Sequence, residues 1–183
     1  MPLIRRLLPG DAARLADHLK RLDADARRLR FGATLTDEAV DGYISRIDWL
    51  RSLQFAQVED GEIRAACQLA WRDPLWPSSA ELAISVERPL QDRGVGSELI
   101  RRTLVAARNR NIRHVTMVCL AENAKMRHIA RKFESMLELV DGDVAGRIDL
   151  DHPDHLSMLQ ELFAEGEAMM GAFTAGWAGP QPH

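Results

Sequence analysis

The stretch Gln91-Asp92-Arg93-Gly94-Val95-Gly96-Ser97 decides the reading of this chain, because of what stands on either side of it. Ahead of it runs Ala80-Glu81-Leu82-Ala83-Ile84-Ser85-Val86, apolar at alternate positions, the period of a strand. Behind it, Glu98 to Ala107 carries apolar residues at helical spacing. Two glycines let the backbone turn tightly and come close to a ligand. A helix N-terminus just beyond offers unpaired N–H groups and a positive dipole end, which suits phosphate. Strand, bare-amide loop and helix together predict a pyrophosphate cradle. Other phosphate loops do not fit. A dinucleotide fingerprint needs a small residue where this chain has Leu99, and a P-loop needs a lysine that is absent near Gly96.

Working outward, Leu3 to Leu8 reads as a strand ended by Pro9-Gly10. Asp11 is expected to cap a helix with Ala12, Leu15, Leu19 and Leu22 inside, and Arg27 to Phe31 continues or follows it until Gly32. Thr36 caps another, with Val40, Tyr43, Ile44 and Ile47 at helical spacing. Strands around Gln54 to Val58 and Ile63 to Trp71 are joined by Glu59-Asp60-Gly61-Glu62. The second is expected to alternate through Ile63, Ala65, Cys67, Leu69 and Trp71. Arg113 to Leu120 is a strand and Ala124 to Phe133 a helix. Leu137 to Val140 and Val144 to Leu150 form a hairpin about Asp141-Gly142. Pro153 opens a last amphipathic helix reaching Phe173. The order β-α-α-β-β-β-α-β-α-β-β-α predicts a mixed α/β fold with antiparallel hairpins around one crossover.

With 183 residues, a single domain is expected: a core over 1–150, a helical segment over 151–175 and a loose tail over 176–183. Hydrophobic content of 46% and charged content of 28% are those of an ordinary globular protein. A net charge of −3 argues against nucleic acid, and no apolar run approaches membrane-spanning length. The N-terminus lacks a signal-peptide core, so a cytoplasmic location is expected. Cys67 and Cys119 read as small buried hydrophobes. His152 and His155 lack the further ligands a metal site needs, so no metal is expected. The last helix carries apolar surface for its own sheet or for a homodimer.

Gln91-x-x-Gly94-x-Gly96 resembles the acetyl-CoA signature of the GCN5-related N-acetyltransferases, the GNAT superfamily, and the order of elements up to about Leu150 is similar too. The resemblance implies a mixed, mostly antiparallel sheet with a splayed central parallel strand pair flanked by helices. It also implies acetyl-CoA as co-substrate, a primary amine as acceptor and direct attack without an acyl-enzyme. The loop backbone from Arg93 through Gly94, Val95 and Gly96 to Ser97 would hold the CoA pyrophosphate, with the Arg93 side chain a phosphate contact or a solvated charge. Ile84, Ser85 and Val86 would present N–H groups to the pantetheine arm and the acetyl carbonyl. Asn123, opening Asn123-Ala124-Lys125-Met126-Arg127-His128, would bind the CoA arm, cap the helix, or do both. Lys125, Arg127 and Arg131 line the phosphate side or face solvent.

Glu81 resembles the strand glutamate that serves as base in bacterial protein-lysine acetyltransferase domains, and Glu87 is the second candidate. Burial would raise the pKa of such a carboxylate. Arg28-Leu29-Arg30-Phe31 is similar to a run common in those domains. The family's helix tyrosine, the acid for the leaving thiolate, is Ala130 here, which leaves the acid unassigned. Tyr43, the only tyrosine, reads as a packing residue. Asp37, Glu38, Asp41 and Asp48 read as a solvated helix face or as an attractor for a cationic amine. The absent tyrosine also supports a different class of function, a non-catalytic acyl-CoA sensor, and a longer acyl donor is a third reading.

Overall fold

The computed structural model describes residues 3–73, 75, 77–133, 136–140, 143–153 and 157–163. Seven strands form one sheet: β1 (Leu3–Arg6), β2 (Ser52–Glu59), β3 (Glu62–Ala70), β4 (Ser79–Val86), β5 (His114–Leu120), β6 (Met136–Val140) and β7 (Asp143–Asp149). Their spatial order is β1-β2-β3-β4-β5-β7-β6, and only β4 and β5 are parallel. The helices are α1 (Ala12–Arg21), α2 (Ala24–Phe31), α3 (Asp37–Ser45), α4 (Val95–Asn109) and α5 (Ala124–Lys132). The expected mixed, mostly antiparallel α/β architecture is the one observed.

Strand alternation sorts the core into two faces. Ala65, Cys67 and Leu69 of β3 join Leu82 and Val115 against Leu99, Ile100 and Ala107 of α4. Ala66 faces the other way, toward Leu15 and Leu19 of α1 and Val40 of α3. Ile63 departs from the expected alternation. The register slips between Gln57↔Ala65 and Val58↔Ile63, so Arg64 is an extra residue on β3 and Ile63 turns to the α1 face. Both cysteines are free and buried, and burial pushes the Cys67 thiol up to about 12, which leaves it an inert core group.

The starts of α2 and α3 follow the expected local chemistry, and that of α1 does not. Asp23 accepts from Ala26 N and caps α2, while Thr36 accepts from Ala39 N and caps α3. Gly32, at φ 74°, ends α2 in the left-handed region. Asp11 stands at the N-cap of α1 but makes no capping bond. Its carboxylate is taken by Arg5, at 2.6 and 2.8 Å, and by Leu8 N. A bidentate arginine outcompetes a single amide.

The expected last helix is described only over 157–163, where Leu159, Leu162 and Phe163 are exposed. Its continuation to Phe173, the tail, His155 and the Asp141-Gly142 turn lie outside the described residues. Among the described residues no helix is long and apolar enough to cross a membrane.

Candidate active site

The parallel pair is short. Ser79, Ala80 and Glu81 of β4 lie beside His114, Val115 and Thr116 of β5, and beyond Glu81↔Thr116 the two strands are unpaired. β4 runs on to Val86 and β5 to Leu120, so the sheet forks at Glu81. Glu87 N donates to Arg64 O on the β3 side. Because successive residues alternate sides, Ile84 and Val86 direct their N–H and C=O into the fork. From Glu81 to Val86 the open edge is roughly 16 Å long.

A cavity of about 700 Å³ lies along the far part of the open β4 edge, from Ile84 to Val86. One wall is Ile84, Ser85 and Val86, and another is Leu22, Ala26, Leu29 and Arg30 from α1's end and α2. Asn123, Lys125, His128, Ile129 and Lys132 form a third, and Gly94, Gly96 and Ser97 close one end. It therefore unites most of the residues picked out by sequence. Arg93 is exposed and outside the lining, and Val95 packs against the core.

The glycine segment is more helical than its sequence suggests. Gly94, at φ 80°, is itself the N-cap, and α4 begins at Val95. Glu98 N donates to Gly94 O, so the N–H groups of Val95, Gly96 and Ser97 have no acceptor within the helix. At Gly96 a Cβ would stand 3.5 Å from Ile84 and Ile129 side-chain carbons, so bulk is limited where strand, α4 and α5 meet. Gln91 ties this turn to β4: its Nε2 donates to Val86 O at 2.9 Å.

Asn123 caps α5, accepting from Met126 N at 3.0 Å. Among the residues of that helix that line the cavity, Lys125, His128, Ile129 and Lys132 fall at i, i+3, i+4 and i+7, one face of a helix. Sequence reading picked Lys125 but missed His128 and Lys132, which that spacing would have revealed. Lys125 Nζ donates to Gln91 Oε1 at 2.9 Å and to Asp92 Oδ2 at 2.8 Å. Opposite, an exposed ion pair of Arg28 with Glu122 joins α2 to the turn before α5 across the rim. Ala130 is buried in the core, so no side chain of acidic character stands at that position.

A polar cluster at the end of β4 was not legible locally. His18 of α1 is fully buried, with Nδ1 3.0 Å from Glu87 Oε1 and Nε2 2.8 Å from Ser85 Oγ. Burial lowers the His18 pKa against the pull of Glu87 and keeps the ring neutral. A carboxylate only accepts, so Nδ1 donates to Glu87 and Nε2 accepts the Ser85 hydroxyl proton. Arg21 and Arg64 also hold Glu87, at 3.0 and 3.1 Å. Burial opposes its ionisation, but the bonds from His18 and Arg64 outweigh that and keep its carboxyl below the usual range. Glu87 is a clamp joining α1, β3 and β4; with every partner a donor, it is poorly suited to take a proton.

Glu81 is exposed and stands at the fork, beyond the residues that line the cavity. Its exposure leaves it without the burial that would raise a carboxylate's pKa. The acidic residues of α3 and its exit are engaged elsewhere: Asp37 with Arg27, Asp41 with Lys20, and Asp48 with Leu50 N and Arg51. Tyr43 packs edge-on against Phe31, ring centroids 5.2 Å apart, and donates its hydroxyl proton to Gln68 Oε1.

Residues 3–134 match the family described as Acetyltransferase (GNAT) domain. Among solved structures, the GNAT domain of PAT from S. lividans is 25% identical, with a TM-score of 0.70 over 80% of this chain and 89% of that one. An acetyltransferase of the GNAT family from Streptococcus pneumoniae is 19% identical, with a TM-score of 0.64 over 80% and 97%. A Salmonella typhimurium protein solved with its cofactor acetyl-CoA is 16% identical, with a TM-score of 0.62 over 85% and 99%. Forked sheet, glycine-capped helix and family match converge: the chain belongs to the GNAT acetyltransferase family.

Proposed function

We propose that this protein transfers an acetyl group from acetyl-CoA to a primary amine, with both substrates bound together. The observation that carries the reading is the cavity itself, an unpaired strand edge leading from a glutamate at the fork to a bare helix N-terminus. The amides of Val95, Gly96 and Ser97 receive the pyrophosphate. Lys125 stands beside Gln91 and Asp92, and with His128 and Lys132 along the same wall it adds donors and positive charge to the cavity. Lys125 exchanges its bond to Asp92 for a phosphate oxygen. The pantetheine arm lies along Ile84 and Val86 as an added strand, which directs the thioester toward Glu81.

A free alkylamine has a pKa of about 10.4 and enters mostly as the ammonium ion. Glu81 takes one proton from it, directly or through water, and the neutral nitrogen attacks the thioester carbonyl. Backbone N–H groups of the open β4 edge receive the developing oxyanion. The C–S bond breaks as the nitrogen becomes an amide, and the proton lost by nitrogen ends on the CoA sulfur through solvent. Ala130 offers no side-chain acid for that step.

Glu81→Gln tests this directly. At pH 7 the rate of thiol release from acetyl-CoA with a reactive amine should fall about 100-fold or more, and much less at pH 9, with acetyl-CoA affinity unchanged. A variant whose pH–rate profile matches the parent sinks the assignment of the base. Acetyl-CoA binding without turnover on any amine favours the sensor reading.

A further inference from the structure

One wall of the cavity holds a cation that no carboxylate of the described residues pairs with. Arg30 lines it, half-buried, and is positioned with care. Its Nη2 donates to Tyr43 Oη at 3.0 Å and to Gln68 Oε1 at 3.1 Å. Its guanidinium lies 4.7 Å from the Phe31 ring centroid and 5.7 Å from that of Tyr43. Among the described residues no carboxylate lies within 4.0 Å of it, and Nη1 and Nε make no hydrogen bond. The arginines around it are different: Arg21 and Arg64 hold Glu87, Arg27 holds Asp37, and Arg28 holds Asp25 and Glu122. Two neutral hydrogen-bond partners and two aromatic rings fix the fork of Arg30 while leaving its charge and three of its donors unspent.

Strand register says which end of the cavity this is. Gln68 lies opposite Ala83, and Ala70 lies opposite Glu81. Paired residues share a face, so the anchor of Arg30 and the Glu81 carboxylate flank Ala83 on one face, one same-face step of about 7 Å apart. The glycine turn lies at the far end of β4. Arg30 therefore belongs to the reacting end, not to the pyrophosphate.

We propose that Arg30 is a carboxylate-recognition residue: one of the two substrates carries a carboxylate that pairs with it beside the reacting amine. This deepens the reading of the cavity as an acyl-CoA and amine site and rests on that part of it; a dicarboxylic acyl group would stand in place of acetyl. The carboxylate has two possible sources, an amino-acid-like acceptor or a dicarboxylic acyl group on CoA. Both place an anion where an arginine is already oriented to accept it bidentately.

Matched probes separate the sources. In the acceptor arm, L-lysine is compared with 1,5-diaminopentane, which differs by the carboxylate, using acetyl-CoA. In the donor arm, succinyl-CoA is compared with butyryl-CoA, using 1,5-diaminopentane. The parent should prefer the carboxylate-bearing compound at least tenfold in kcat/KM in one arm. Arg30→Met should reduce that preference to under threefold, and Arg30→Lys should retain part of it. A purely structural arginine gives an equal loss for both members of each pair. That result, or no preference in either arm, overturns the proposal. The same pairs titrated calorimetrically, amines into the CoA complex and acyl-CoAs into free protein, read the preference without turnover. A preference in binding that depends on Arg30, in a protein that transfers no acyl group, sinks the catalytic reading and keeps this one. No such preference in binding or rate sinks this one alone.

Discussion

At the scale of single residues, the two glycines of the signature do different work. Gly94 holds φ 80° with open space around the position a Cβ would take, so its constraint is conformational. Gly96 has ordinary helical backbone, and its constraint is the ordinary contact a Cβ would make with Ile84, Val86 and Ile129. Gly94→Ala should cost about 1–2 kcal/mol of stability through left-handed strain. Gly96→Ala should be nearly silent, whereas Gly96→Val should overpack the meeting point and cost about 1–3 kcal/mol. Chemical denaturation of the three variants checks the ranking; an Ala at 96 as damaging as an Ala at 94 contradicts it. The sequence showed both glycines but not this division. A helix capped by a left-handed glycine has no Ser, Thr, Asn or Asp to announce its start, which is why α4 begins earlier than its apolar period suggested.

At the scale of elements, periodicity was a reliable guide wherever one face is buried. β4, β5, α1 and α3 show their inner residues at the expected spacing. What it missed are contacts between elements far apart in sequence. His18 meets Ser85 and Glu87 across 67 and 69 residues, and Arg30 meets Gln68 across 38. No local pattern encodes such pairs; they follow from the sheet order and from the extra residue at Arg64. The His18 clamp carries a consequence for stability. Its folded pKa is lowered from an ordinary 6.5, so the unfolded chain binds a proton more readily. The clamp's stabilisation is complete above about pH 6.5 and is lost as pH falls. Glu87, held below its ordinary 4.5, extends the loss at lower pH. The thermal midpoint should be flat from pH 8 to 7 and then decline. His18→Gln should start lower at pH 7.5 and decline less between pH 6.5 and 5. Parallel curves for parent and variant would contradict a buried neutral histidine.

At the scale of the whole molecule, the functional geometry is a property of topology. One parallel pair in an otherwise antiparallel sheet is linked by α4, and the crossover places that helix's N-terminus beside the end of β4. Because β5 leaves β4 after Glu81, the edge that a sheet would normally cover is left open over the cavity. The strand, the glycine segment and the Asn123 helix were each legible, and with them one end of the cavity. At the other end Glu81 and the run through Arg30 were singled out separately, but the anchoring of Arg30 by Tyr43 and Gln68 was not legible, since these residues come from separate elements. Amide hydrogen exchange with and without CoA reads the central claim, that the ligand joins the sheet at the fork. Saturating CoA should protect Ile84 and Val86 of β4 and the first turn of α4 from Val95 to Ser97, with little change in β1 and β2. Protection spread elsewhere, with those amides exchanging as fast as in the free protein, would contradict it.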